Sequence, residues 1–292
     1  MYFAKNKQIF TPKKIFKNML NNSITIITIN FNNKNGLQKT MDSVFRQTNK
    51  DFQYIVIDGG SSDGSKELIE RNQSQINDWV SERDNGIYHA MNKGIEKATG
   101  EYLLFLNSGD ELLNELVVEK VTPLLHTDDI ISGNLIVDED SKDVLRPTKK
   151  SISFLDLIEE TIWHPSTFIK KSAFEKVGLY DENLKICSDW KWFLISIFKY
   201  NCTYRPIEQS ISRFYKDGIS SDPKSQSLRK EERRKTLVEN FHFSEFQTEE
   251  LIDKINLYFS ATNSLDKINK LKNSRLLKFL YRIGVFKNYK YL

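Results

Sequence analysis

At 292 residues, 39% hydrophobic and 28% charged, the chain can build one large domain with a substantial core, which excludes disordered, collagen-like and disulfide-scaffold classes. Its net charge is only +4, but residues 1–22 hold five lysines and no acid, and residues 267–292 hold eight Lys or Arg and no acid, leaving −9 for residues 23–266. An acidic body between basic ends argues against a nucleic-acid-binding body and for an end that touches an anionic surface.

The two cysteines, Cys187 and Cys202, are too few for a disulfide framework or a metal cluster, and a reducing, cytoplasmic setting is expected. Residues 1–20 interleave lysines with isolated apolar residues and have no signal-peptide core. The longest apolar stretch, Trp190 to Phe198, is broken by Lys191 and Ser196 and falls well short of the roughly 20 residues of a spanning helix.

In chain order, Ser23 to Phe31 is rich in β-branched residues and predicts a buried parallel strand running into the polar loop Asn32 to Gly36. Leu37, Met41, Val44 and Phe45 then keep helical spacing. Phe52 to Ile57 predicts a second strand, ending at Asp58-Gly59-Gly60-Ser61, with Asp63 or Ser65 as cap of the next helix. Ile87, Met91, Ile95 and Ala98 mark a further helix, stopped by Gly100. Tyr102 to Leu106 predicts another central strand, ending at Asn107-Ser108-Gly109-Asp110. Strands alternating with helices at this spacing open a parallel α/β sheet.

Beyond Asp110 the pattern predicts a helix near Leu112 to Leu124, a strand near Ile130 to Val137 and a helix near Ser151 to Ile158. Ser172 is expected to cap a short helix closed by Gly178. Ser188-Asp189 opens a helix that is apolar almost all round and so should be buried. Ligands of open α/β sheets sit beyond the carboxyl ends of the strands, so the polar clusters after Phe31, Ile57 and Leu106 are expected to share one crevice. Neither G-x-x-x-x-G-K-[ST] nor G-x-G-x-x-G occurs after the first strand, which argues against P-loop and ordinary dinucleotide enzymes.

The runs ITIITINFNN, YIVIDGGSSDGS, SERDNGIYHAMNKGIEKATGEYLLFLNSGD, HPSTFIKKSAFEKVGLYDENL and CSDWKWFL together resemble an inverting family 2 glycosyltransferase. The resemblance covers about Ser23 to Phe214, in the family's order and spacing. It implies a GT-A nucleotide-diphospho-sugar transferase fold, with a Rossmann-like, mostly parallel sheet flanked by helices. It also implies transfer of a sugar from a nucleotide diphosphate sugar to an acceptor hydroxyl, with Mg²⁺ or Mn²⁺. The expected organisation is a basic N-terminal extension (1–22), a catalytic domain (23–220) and a helical C-terminal extension with a basic amphipathic tail (221–292).

Relatives usually carry Asp-x-Asp where this chain has Asn107 to Asp110, so Asp110 is the expected charged metal ligand, with Asn107 offering a neutral oxygen and Ser108 beside it. The other reading of Asp110 is the cap of a following helix. Asn30, Phe31 and Asn32 are expected to meet base and ribose, with Phe31 stacking. Asp58 reads either as an acceptor for the nucleotide or as a turn-forming residue. Asp84 and Asn92 are further donor-site candidates, otherwise turn and helix-surface polarity, and His89 reads as an exposed helix residue.

By the same resemblance Asp189 matches the base that takes the acceptor's proton, and its other reading is a helix-start charge. His164 is expected near the acceptor, or else as a hydrogen-bonded structural residue. Ile211 to Ser220 resembles the strand and loop that close over the site. Lys224 to Lys235 reads as a solvated, mixed-charge helical face. From Lys267 an amphipathic basic helix is expected to lie on an anionic membrane or to pack on the domain.

The whole therefore reads as a transferase building a cell-surface polysaccharide or glycolipid on a saccharide or lipid-linked acceptor, peripheral at the inner face of the membrane. Two other classes stay open. One is a nucleotide-sugar-binding scaffold with degenerate catalysis, and the other is a nucleotidyltransferase, which the missing glycine-rich phosphate loop disfavours.

Overall fold

The computed structural model describes residues 24–139, 142–215 and 225–241. Both basic ends, including the tail expected from Lys267, and the loop expected after Tyr215 lie outside the described residues.

The first strand, β1 (Ile24–Asn30), is buried along its whole length. Helix α1 (Lys34–Phe45) follows, capped by Asn33, whose side chain accepts from the Gly36 N–H at 3.1 Å. Strand β2 (Gln53–Asp58), helix α2 (Ser65–Asn72), strand β3 (Asp78–Ser81), helix α3 (Ile87–Lys97) and strand β4 (Tyr102–Phe105) complete the parallel half. β1 lies between β2 and β4, so its residues divide between two cores: Ile24 and Ile26 face one, Ile27 and Ile29 the other. A strand covered on both faces has no solvated side, which explains why β-branched residues fill both faces of β1 and the two buried threonine hydroxyls are hydrogen-bonded.

The second half is β5 (Glu111–Leu112), α4 (Val117–Val121), β6 (Ile130–Glu139), β7 (Lys142–Arg146), α5 (Phe154–Glu159), β8 (Thr167–Lys170), α6 (Lys171–Val177), α7 (Ser188–Phe198), β9 (Tyr204–Tyr215) and α8 (Gln226–Phe241). The strands run in the order β3-β2-β1-β4-β8-β6-β9-β5, with β7 paired to β6. β8 enters antiparallel between β4 and β6, and β6 and β9 are parallel.

Several expectations are corrected. The helix expected from Leu112 to Leu124 is divided, because Leu112 pairs with Ser212 of β9 and Pro123 lies in the 3₁₀ turn that follows α4. Asp63 does not cap α2 directly: Gly64 is the cap residue, and Asp63 Oδ1 instead accepts from the Ser65 N–H and hydroxyl. Ser172 lies inside α6, whose cap residue is Lys170. Of the expected solvated face at Lys224 to Lys235, Gln226 to Lys235 form the first part of α8, which buries Glu232 and, further on, Thr236 and Leu237 against the domain, while Lys224 lies outside the described residues.

Both cysteines are free and buried, and burial pushes the Cys187 thiol up to about 12. Among the described residues no helix is long and apolar enough to cross a membrane.

Candidate functional site

The ends of β1, β2 and β4 bring their polar residues together, as the strand order requires. Asn30 pairs with Asp58 in register, and both side chains are buried. Asp58 Oδ1 accepts from Asn30 Nδ2 (2.7 Å) and Ser61 Oγ (2.5 Å), and Oδ2 accepts from the Ser61 N–H (3.0 Å) and Ser81 Oγ (2.6 Å). These four donors occupy the four lone-pair positions of the carboxylate and tie the ends of β1, β2 and β3 together at Asp58.

The same geometry fixes the Asn30 amide. Its nitrogen faces an acceptor-only group, so the oxygen must point the other way, and Oδ1 is buried with no partner among the described residues. Asn32, expected to touch the nucleotide, instead staples two loops. Its N–H donates to Ser61 Oγ and its Oδ1 accepts from the Ser62 N–H. Asn33, not singled out from the sequence, lines the crevice in its place.

The loop after β4 is held from α1. Thr40 Oγ1 lies 2.7 Å from the Asp110 carbonyl and accepts from the Gly109 N–H at 3.0 Å, while Asn33 Nδ2 donates to the Ser108 carbonyl at 3.1 Å. Gly109 has φ +110°, which L side chains rarely adopt, so the loop that replaces Asp-x-Asp needs glycine before Asp110. Strand β5 follows directly, with no helix there for Asp110 to cap.

Asp110 is 7% exposed, and Asn107 Oδ1 is buried with no partner among the described residues. Those residues contain no group of three or more His, Cys, Asp or Glu able to hold a metal. One carboxylate and one unsatisfied amide oxygen still suit a hard cation that takes its other ligands from phosphate and water.

On the opposite wall, Asp84 Oδ1 accepts from Lys93 Nζ at 2.6 Å and lies 3.3 Å from His89 Nδ1. His89 is thus half-buried beside an acid rather than exposed. Gly59 keeps this region open: a Cβ there would lie 3.1 Å from the Phe31 ring and 3.2 Å from Asp84 Oδ2. The Asn92 amide is engaged away from the crevice. Its amide nitrogen donates to the Tyr180 carbonyl and Glu182, and its oxygen accepts from the Tyr180 N–H, so it fastens the chain at Tyr180 to α3.

Asp189 stands in the first turn of α7, and Tyr88 of α3 donates to its Oδ1 at 2.9 Å. Tyr88 is buried, and burial followed by the neighbouring Asp189 charge raises its phenol well above the usual range. His164 stacks on Phe105 and its Nε2 lies 2.8 Å from the Tyr180 hydroxyl. Burial pushes its pKa down to about 4 against the opposing pull of Asp189, so at neutral pH the ring is uncharged. The uncharged ring keeps its hydrogen bond to Tyr180 and lines the same cavity as Asp189.

Two chambers result. The larger, about 950 Å³, is lined by Asn30, Phe31, Gly59, Asp84 and Ser108, with exposed Arg83 at its border. The smaller, about 480 Å³, is lined by Tyr88, Leu135, Trp163, His164 and Asp189. Ile87, Asn107, Asp110 and Phe214 belong to both. A chamber with a cation on its rim, joined through the Asp110 carboxylate and the Asn107 amide to a second chamber that contains Asp189, can hold two reactants on either side of one reacting centre.

The family model described as glycosyl transferase family 2 matches residues 25–190. Over 179 residues the chain is 32% identical to an uncharacterized glycosyltransferase of Mycobacterium tuberculosis, covering 59% of this chain and 68% of the relative. It is 27% identical over 169 residues to a PGL/p-HBAD biosynthesis glycosyltransferase of Mycobacterium bovis, covering 53% and 61%. Its fold is similar to that of S. aureus TarS in complex with UDP, with TM-score 0.61, 16% identity and coverage of 86% of this chain and 78% of that one. It is also similar to the mannosyltransferase PcManGT of Pyrobaculum calidifontis in complex with GDP-Man and Mn²⁺, with TM-score 0.56, 11% identity and coverage of 90% and 84%.

Proposed function

The chain belongs to glycosyl transferase family 2 and has that family's GT-A fold, and from this premise we propose that it is an inverting transferase using a UDP-sugar. The observation that carries the reading is the pair of chambers meeting at Asn107 and Asp110, with Asp189 on the far side. UDP in the TarS neighbour and the glycolipid-pathway name of the mycobacterial relative support the donor class and an acceptor in glycolipid or polysaccharide synthesis. The basic composition of residues 267–292 supports a lipid-linked acceptor at an anionic surface.

In this reading the donor occupies the larger chamber. Asn30 Oδ1, the buried acceptor left over after Asp58 is saturated, receives a donor hydrogen from the nucleoside, and Phe31, 66% exposed, covers it from solvent. Arg83 faces the diphosphate. Asp110 and Asn107 would hold Mg²⁺ or Mn²⁺, whose charge offsets that of the departing diphosphate. Asp189 accepts the acceptor hydroxyl's proton as the new bond from oxygen to the anomeric carbon forms. The bond from that carbon to the diphosphate breaks on the opposite face, and its electron pair leaves with the nucleotide. Tyr88 holds Asp189 Oδ1, and Trp163 and Leu135 give the acceptor chamber its apolar wall.

The test is nucleoside diphosphate release from UDP-glucose, UDP-galactose, UDP-N-acetylglucosamine and GDP-mannose, with and without Mn²⁺. One UDP-sugar should be turned over, metal should accelerate it, and Asp189→Asn should lower turnover by about 100-fold or more while UDP still binds. Full turnover in Asp189→Asn would overturn the base assignment. The single carboxylate of the 107–110 loop also admits a second reading, a nucleotide-sugar-binding protein without turnover. UDP binding with no release from any donor would favour it.

A further inference from the structure

Helix α8 lies outside the residues that match the family model, yet it grips the segment that presents Asp189. Glu232, on α8, is 6% exposed and accepts three backbone N–H groups in succession. Its Oε1 takes that of Lys185 at 2.7 Å, and its Oε2 takes those of Ile186 at 3.1 Å and Cys187 at 2.9 Å. The next residue, Ser188, begins α7, and Asp189 is in its first turn.

A helix start normally draws on a local side chain to meet its free N–H groups. Here the cap residue is Cys187, which makes no side-chain capping bond, and the Ser188 hydroxyl has no partner among the described residues. The approach to α7 is therefore fixed from a distance, by one carboxylate more than forty residues further along the chain. Its neighbour Arg233 adds a second hold: the guanidinium lies 4.8 Å from the Trp190 ring centroid and donates to the Ile158 carbonyl at 3.1 Å.

We infer that Glu232 is a positioning residue for the reaction, setting the direction in which α7 starts and hence where the Asp189 carboxylate stands in the acceptor chamber. The inference rests on the reading of Asp189 as the base. Three charge-assisted hydrogen bonds on three consecutive amides leave the segment little freedom to pivot. Displacement of a reacting group by about 1 Å can cost about 100-fold in rate. Glu232 touches neither chamber, so its removal should affect turnover and leave the binding of nucleotide alone.

The experiment compares wild type with Glu232→Ala, Glu232→Gln, Asp189→Asn and the double variant Asp189→Asn with Glu232→Ala. Three measurements are made: amide hydrogen exchange over residues 185–189, UDP affinity, and turnover of the best donor in the panel above. Glu232→Ala should lose exchange protection at 185–187 and lower kcat by about 10- to 100-fold, with UDP affinity within about twofold of wild type. Glu232→Gln keeps the shape and one acceptor oxygen and should fall between; if Glu232→Ala does not fold, this variant carries the same comparison.

In the Asp189→Asn background the second substitution should cost nothing further, because residues acting through one group are not additive. Unchanged protection, unchanged kcat, an equal loss of UDP affinity, or an additive loss in the double variant would each overturn the proposal. Full turnover in Asp189→Asn would instead overturn the reading on which it rests.

Discussion

Individual side chains in this crevice are decided by how many hydrogen-bonding positions their neighbours have used. Asp58 accepts from Asn30, Ser61 and Ser81, which leaves the oxygen of the Asn30 amide as the buried acceptor with no partner among the described residues. Gly59 then has a role beyond flexibility, since any side chain would crowd Phe31 and Asp84. Gly59→Asp places a second carboxylate against Asp84 and should weaken UDP binding by about tenfold or more, roughly 1.4 kcal/mol, with Gly59→Ala losing less. Titration calorimetry with UDP checks this, and wild-type affinity in the aspartate variant would refute it.

Among the secondary-structure elements, α1 acts as the brace of the loop beyond β4, because Thr40 links the backbone of Gly109 and Asp110 to the helix. Thr40→Val keeps the volume but leaves a buried N–H and carbonyl without that partner. It should lower stability by about 1–3 kcal/mol and reduce metal-assisted donor turnover, and Thr40→Ser should restore both. Urea unfolding and diphosphate release measure the two effects, and a valine variant matching wild type in both would remove the brace.

What the sequence made legible at this scale follows burial. β1, β2 and β4 are buried along their whole length and stand out as runs rich in β-branched and large apolar residues. β3, β7 and β8 are four or five residues long and carry polar or charged side chains, so no period declares them. Asn92 and Thr40 show the same limit for the site. Both are polar residues on helices, and only contacts 88 and 70 residues away reveal that one fastens a distant turn and the other holds the loop beyond β4. Tyr88 and Glu232 escaped notice for the same reason, their partners lying 101 and 45–47 residues away.

Considered as a whole, the molecule has placed an ionisable ring deep in its aromatic core, and this ties global stability to pH. His164 has a pKa of about 4 when folded, against about 6.5 for an unfolded histidine. The unfolded chain therefore binds the extra proton first as pH falls. Stability is intact above about pH 6.5, and about 3 kcal/mol is lost between there and about pH 4. Denaturant unfolding at pH 7, 5.5 and 4 should show this decline, and His164→Gln, which cannot titrate, should flatten it by that amount. Parallel curves for the two proteins would show that the ring carries no such penalty.

The four residues common to both chambers also constrain how such a protein can change. Ile87 and Phe214 each line both chambers. A substitution that widens one chamber at Phe214 reshapes the other, so under the proposed assignment donor and acceptor preference are coupled at that wall. Diversification of acceptor choice is free only where a lining residue belongs to one chamber alone, as Leu135 and Trp163 do. Inheritance of a new specificity would therefore be recorded first along β6 and at the start of the turn before β8, while the shared wall stays frozen by its double duty.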